Sequence, residues 1–330
     1  MTSRHFNIVR NGDHVPPTLR GGIVAIGNFD GVHRGHQVVL QQVKEMARTR
    51  GTSALALTFE PHPRTFFRPE TPLFRLTPSE VKAELLDALG LDGMIEVTFD
   101  AALAALTAEG FVDRILVDRL GIGGAVVGHD FHFGKARSGS PQVLSSLGTS
   151  RGFDVAIVAP AGEGDTVWSA SSARAALADG DVVEAARILG YRWFVRGKVE
   201  HGAKRGRDLG FPTANIPLAP ETELLFGVYA VRMHVDDGFH DGVASFGRRP
   251  QFDNGAPLLE VHLLDVSPDL YGKSVEVEFV GCIRPEMRFD SVDDLVARMH
   301  VDVAETRRIL AEAETAGGHD RPIPVLDATR

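Results

Sequence analysis

Apolar positions follow two different rhythms along the chain. Up to about residue 185, short continuous apolar runs alternate with stretches of helical spacing. Runs at 23–26, 54–59, 94–97, 124–128 and 155–158 read as buried strands. Between them, residues 38–50, 79–89, 111–119 and 141–151 read as helices. The first carries Val39, Leu40, Val43, Met46 and Ala47 at helical spacing, and the second Val81, Leu85, Leu86 and Leu89 on one face. Strand and helix in alternation predict a parallel, doubly wound α/β sheet. Residues 173–189 read as one helix that ends at Gly190. From residue 192 the period becomes two. Alternating segments at 192–199, 227–235, 242–246, 259–264 and 274–280 have no helices between them and predict an antiparallel β-barrel. A terminal helix is expected over 291–310, with Ser291 as its cap and Asp293 and Asp294 in its first turn. The expected division is a first domain at 1–185, a second at 186–315 and a loose tail at 316–330.

Composition narrows the class. A chain of 330 residues fits two domains at roughly 150 residues each. The formal net charge of −9 argues against general affinity for nucleic acid or an anionic membrane, but leaves room for a local phosphate site. The single cysteine, Cys282, excludes an intrachain disulfide and a Cys-rich zinc site, and reads as a small buried residue. The first residues lack a signal-peptide core, and no run of about 18 apolar residues occurs. Cytoplasm is therefore the expected compartment, and self-association is left open.

Unusual residues cluster just after the predicted strands, where ligands of doubly wound sheets bind. The first cluster is Gly27-Asn28-Phe29-Asp30-Gly31-Val32-His33-Arg34-Gly35-His36. Its glycines permit a tight turn, and the helix N-terminus after it favours an anion. His33 and His36, three apart, are placed to contact one phosphate group. It is neither a P-loop nor a dinucleotide fingerprint. A zinc pair is a poor reading, because Gly31 and Gly35 offer no side-chain ligands and no cysteine is near. The second cluster is Phe59-Glu60-Pro61-His62-Pro63-Arg64, stiffened by two prolines. The third, residues 128–139, combines glycines, Phe131 and Phe133 with the cations Lys135 and Arg137, a mixture suited to an aromatic heterocycle carrying phosphate. In the second half, residues 197–215 hold glycines and basic residues able to wrap a polyphosphate. Thr213 and Asn215, after Pro212, supply neutral oxygen ligands for a hard cation such as Mg²⁺.

Residues 27–36 match the Gly-x-Phe-Asp-x-x-His-x-Gly-His signature of nucleotidyltransferases. With the second and third clusters, the first half resembles the FMN adenylyltransferase module of bacterial bifunctional riboflavin kinase/FAD synthetases, which implies a Rossmann-like nucleotidyltransferase domain. The resemblance implies that His33, His36 and Asn28 act on the ATP phosphates and that Arg174 holds the leaving group. Gly27, Phe29, Asp30, Gly35 and Ser171 would complete the ATP site. Phe59, Pro61, His62 and Asp130 would line the flavin side. Ala170 stands where the family carries a serine.

The second half is similar to the riboflavin kinase module of the same family, through residues 197–215, 227–229, 247–250, 260–262 and 269–273. The resemblance makes Glu260 the base on the riboflavin 5′-hydroxyl. It places ATP on Gly197, Lys198, Gly202, Gly206, Arg207, Gly210 and Pro212, with Mg²⁺ on Thr213 and Asn215. Gln251 replaces a family threonine. The implied function is two ATP-dependent steps: riboflavin to FMN, then FMN to FAD with release of pyrophosphate. The alternative is adenylyl transfer alone, with a barrel that binds flavin without phosphorylating it. The expected partners are riboflavin, FMN and ATP, with neither nucleic acid nor membrane.

Overall fold

The computed structural model describes residues 5–11, 13–164, 166–202, 210–236, 238–248 and 256–315. Expectations for Gly206, Arg207, Gln251 and the tail at 316–330 lie outside the described residues. The chain forms two compact units, Met1–Ala170 and Ser171–Arg330, a division that falls ahead of the 185/186 boundary expected from sequence.

The first unit is built on a parallel sheet of β1 (Asn7–Val9), β2 (Ile23–Ile26), β3 (Ala54–Glu60), β4 (Gly93–Thr98), β5 (Gly124–Gly128) and β6 (Asp154–Val158), in the order β1-β4-β3-β2-β5-β6. The apolar runs are continuous because the central strands are buried on both faces, and every residue of β2 is buried. At three residues, β1 is too short to display a period and escaped the sequence reading. The helices are α1 (Arg34–Arg50), α2 (Pro63–Phe67), α3 (Ser79–Ala88), α4 (Ala101–Ala104), α5 (Ala108–Phe111) and α6 (Pro141–Arg151). A π-wound stretch, Val112–Leu120, continues α5. Helix α1 starts four residues before the expected 38, because His33 caps it with its ring. A small hairpin, β7 (Gly162–Glu163) and β8 (Thr166–Val167), follows.

The expected helix at 173–189 is instead two, α7 (Ala170–Ala178) and α8 (Val182–Leu189). Gly180 between them has φ +79°, which a helix cannot contain, and Asp181 then caps α8 by accepting from the Glu184 amide at 2.8 Å.

Six strands follow: β9 (Phe194–Lys198), β10 (Ala214–Pro217), β11 (Gly227–Val235), β12 (Gly238–Arg248), β13 (Pro257–Leu263) and β14 (Ser274–Pro285). They pair antiparallel in the order β10-β13-β12-β11-β14-β9, and an antiparallel bridge between Glu200 and Asn215 ties the two ends together. The barrel thus protects both edges. Strand β10 was not expected, because Pro212 and its neighbours read as a stiff corner. Inside, Trp193 stacks on Phe279 with centroids 5.1 Å apart.

The terminal helix α9 (Val292–Thr315) carries the expected Ser291 cap, which accepts from the Asp294 amide at 3.1 Å. Asp302 pins α9 to the barrel. It is 3% exposed and accepts from Arg284 Nη2 at 2.8 Å and Arg298 Nε at 2.9 Å. Asp302→Ala leaves two guanidinium groups without their carboxylate, so the second unit should lose about 3 kcal/mol. Urea unfolding followed through Trp193 fluorescence in a Trp168→Phe background checks this.

Candidate functional site

Strands β3, β2 and β5 are neighbours in the sheet, and the three unusual loops of the first unit leave from their carboxyl ends. The connection from β2 runs to β3 on one side, whereas β5 runs on to β6 on the other. The loops therefore border a topological switch point, the crevice where open α/β sheets bind ligands.

The turn after β2 is a strained backbone. Phe29 (φ +49°), Gly31 (φ +75°) and Val32 (φ +37°) all stand in the left-handed region, and for a β-branched valine that is costly. Asp30 holds the turn in place. Only 2% exposed, it accepts from the Leu76 and Thr77 amides at 3.3 and 3.1 Å and lies 3.5 Å from Arg75 Nε. The Gly31 amide donates to Thr77 Oγ1 at 2.9 Å. Asp30 and Phe29, expected at the ATP site, are thus both buried parts of the turn's frame.

His33 ends the turn and begins α1. Its Nδ1 accepts from the His36 amide at 3.3 Å, which puts the proton of the neutral ring on Nε2. The two imidazoles stack with centroids 3.6 Å apart. His36 Nδ1 and Asn28 Oδ1 are buried polar atoms that lack hydrogen-bond partners among the described residues. Such atoms are costly unless a ligand supplies the partner. Burial, aided by the charges of His33 and Lys82, holds the His36 pKa well below 6.5, so its ring is neutral at physiological pH. Gly35 has no room for a side chain, since a Cβ there would meet the Trp168 carbonyl at 2.5 Å. The Arg34 guanidinium lies over the Trp168 ring at 5.5 Å.

Beneath the turn runs a buried polar chain that the sequence reading missed. Lys82 Nζ donates to Thr58 Oγ1 at 2.9 Å, and Thr58 Oγ1 donates to the Asn28 carbonyl at 3.0 Å. Both side chains are fully buried. Burial, then the nearby Arg75, push the Lys82 ammonium down to about 8. A signal existed: Lys82 stands three, four and seven residues before Leu85, Leu86 and Leu89, which is the apolar stripe itself. Arg75 and Thr77 gave no such signal. Arg75 holds Glu60 through two bonds, at 2.9 and 3.0 Å.

In the loop after β3, His62 caps α2 by accepting from the Arg64 amide at 3.1 Å, while Pro61 is exposed. Phe59 is buried and sits within an aromatic group with Phe99 and Phe111, at 6.0 and 6.3 Å. After β5, Asp130 is exposed and Phe131 stacks on Phe133 at 5.4 Å. Gly27 and Gly35 lie on the turn and the first turn of α1. Ser171 and Arg174 lie on α7, in the second unit.

The second unit gathers its own set at the barrel closure. Glu260 on β13 pairs directly with Asn215 on β10 and with Ser245 on β12, so the carboxylate and the amide share a face. Asn215 is 6% exposed, and its amide donates to the Thr213 carbonyl at 3.3 Å. At Gly202 an added Cβ would meet that amide at 2.5 Å, and at Gly197 it would meet Ile216 at 2.5 Å. Lys198 is exposed at the end of β9, and Gly210 turns with φ +84°. Nδ1 of His262 donates to the Pro212 carbonyl at 2.9 Å, and the His201 ring stacks on Tyr271 at 4.0 Å. Among the described residues, no three or more His, Cys, Asp or Glu side chains gather into a metal site.

Comparison with known proteins agrees with this division into two sites. Residues 15–172 match the FAD synthetase family and residues 189–310 the riboflavin kinase family. A bifunctional riboflavin kinase/FMN adenylyltransferase of Pseudomonas fluorescens is 40% identical over 307 residues, covering 93% of this chain and 98% of its own. The protein of the same description from Escherichia coli K12 is 39% identical, over 90% and 95% of the two chains. A solved structure described as a macrolide-efflux protein of Streptococcus pneumoniae superposes with TM-score 0.82 at 29% identity, covering 91% of this chain and 98% of its own. That description does not transfer, and no helix among the described residues is long and apolar enough to cross a membrane.

The depressed His36 pKa sets a stability dependence. The fold favours the neutral ring, so its contribution is complete above pH 6.5 and is lost as pH falls through the lower folded value. Urea unfolding at pH 7 and pH 5.5 should show a smaller loss of stability on acidification in His36→Gln than in the parent chain.

Proposed function

The chain belongs to the bifunctional riboflavin kinase/FMN adenylyltransferase family, and from that membership we propose which of its residues carry the two reactions. The second unit phosphorylates riboflavin to FMN, and the first adenylylates FMN to FAD. The observation that carries the first assignment is the buried, unpartnered His36 Nδ1 in the first turn of α1, beside the switch point.

In adenylyl transfer, an FMN phosphate oxygen attacks the α-phosphorus of ATP and the bond to pyrophosphate breaks. No group on the protein needs to form a covalent bond. Catalysis is placement plus stabilisation of charge on the transferred group and the leaving pyrophosphate. The N-terminus of α1 and the Nε2–H of His33 face that charge as donors. A neutral His36 serves the same purpose without the cost of burying a second cation beside Lys82. Asn28 contributes its amide, and Gly35 keeps the backbone close to the phosphates. Asp30 acts by holding the turn rather than by touching ATP. Ser171 and Arg174 keep the roles the family resemblance gives them. Pro61, His62 and Asp130 form the flavin side, with Phe59 as the buried support behind it.

In the kinase reaction, the ribityl 5′-hydroxyl attacks the γ-phosphorus of ATP, its proton passes to Glu260, and ADP leaves. The register pairing of Glu260 with Asn215 supports this role. Thr213 and Asn215 suit Mg²⁺ because both offer neutral oxygens and Gly202 leaves a cradle over the Asn215 amide. When bound, that ion would neutralise charge on the phosphates. Gly197, Lys198, Gly202, Gly210 and Pro212 form the nucleotide side of this site.

Riboflavin with Mg-ATP should yield both FMN and FAD. If added FMN gave FAD but riboflavin gave no FMN, the chain would be an adenylyltransferase alone. His33→Ala combined with His36→Ala should lower FAD formation by about 10³-fold and leave FMN formation intact. Glu260→Gln should do the reverse, lowering FMN formation by about 10²–10³-fold.

A further inference from the structure

We propose that Lys82 is a positioning residue for adenylyl transfer: its buried ammonium fixes the Asn28 peptide through Thr58 and places a positive charge, bonded directly by no carboxylate, beneath the phosphate-binding turn. The inference rests on reading the first unit as the adenylyl-transfer site.

A fully buried ammonium is expensive unless something offsets it. Among the described residues Lys82 forms no ion pair, and its bonding partner is the neutral hydroxyl of Thr58. The charged groups around it come from every element packed on α3, and each of the carboxylates is engaged elsewhere. Glu60 at the end of β3 is held by two bonds from Arg75. Asp30 in the turn accepts from two backbone amides and Arg75. Glu96 on β4 accepts from Arg10 at 3.1 Å and is also bonded to Ser79. Arg75 itself is a second cation, and His36 on α1 feels the Lys82 charge. These carboxylates favour the ammonium from a distance, but none bonds it, and a polyphosphate bound on the turn would add further counter-charge on the side of Thr58 and Asn28.

The linkage follows in sign. With its pKa near 8, the Lys82 ammonium is mostly charged at pH 7 and mostly neutral at pH 9. ATP bound above it would favour the charged form, so the affinity for ATP should weaken as pH rises through 8. A side chain that only filled space or only bonded Thr58 would produce no such dependence.

The test uses the full chain. Lys82→Met preserves length and volume, and Lys82→Arg keeps the charge at all pH values used. Histidine titration by NMR, without substrate, should raise the His36 pKa by about one unit in Lys82→Met, a tenfold change in its protonated fraction. At pH 7, kcat/KM of that variant for ATP in FAD formation should fall about tenfold, and the deficit should shrink toward pH 9. Lys82→Arg should lose the decline between pH 7 and pH 9, and FMN formation from riboflavin should stay within about twofold in both variants. An unmoved His36 titration in a folded Lys82→Met chain, or an equal deficit at pH 7 and pH 9, overturns the proposal. So does an unchanged alkaline decline in Lys82→Arg, which keeps the proposal exposed if Lys82→Met does not fold. A parent chain unable to make FAD from FMN would count against the functional reading instead, and the histidine titration would still decide the role of Lys82.

Discussion

The buried Asp30 carboxylate is the constraint on which the first unit's site depends. A turn with three residues in the left-handed region, one of them a valine, does not hold itself. Asp30 reaches across 46 and 47 positions of sequence to the Leu76 and Thr77 amides, and Arg75 links it to Glu60. Once the turn is locked, His33 stands where its ring can cap α1, His36 stacks against it, and Asn28 lies over Thr58. The acidic residue of the motif thus serves the phosphates indirectly. Had it faced the ligand, its own negative charge would have opposed the ATP it is meant to help bind.

In the barrel, one residue carries two loads. Asn215 makes the bridge to Glu200 that joins the ends of the sheet, and the same residue stands beside Glu260. Closure of the barrel and alignment of the proposed kinase groups are one event. Gly202 completes the arrangement by packing its backbone against the Asn215 amide, where any side chain would collide with it. A fold that failed to close would have neither a protected edge nor an aligned site.

Much of the architecture was legible because burial writes itself into periodicity. Continuous apolar runs marked the central parallel strands, and alternation marked the barrel. The misses have physical causes. Strands β1 and β10 are three and four residues long, too short for a rhythm. The break between α7 and α8 was readable in Gly180 followed by Asp181, but apolar spacing continues across it and hid the cap. His33 and His36 stood out by their spacing, and Asn28 only through the family resemblance. The frame under them was not legible, since Arg75 and Thr77 meet the turn only through the fold. Lys82 falls between these cases: its place on the apolar stripe of α3 was visible, and its link to Asn28 was not.

The cap at the start of α1 has a last consequence. Because His33 Nδ1 accepts the His36 amide, a proton arriving on that nitrogen removes the acceptor and turns attraction into a clash of donors. The ring would then have to swing away, and the first turn of the helix would keep its backbone bond from the Gln37 amide to the His33 carbonyl but lose its side-chain cap. The imidazole is therefore a latch as well as a ligand contact. Acid would not simply recharge the phosphate cradle; it would also strip the cap from the helix end on which the cradle is built.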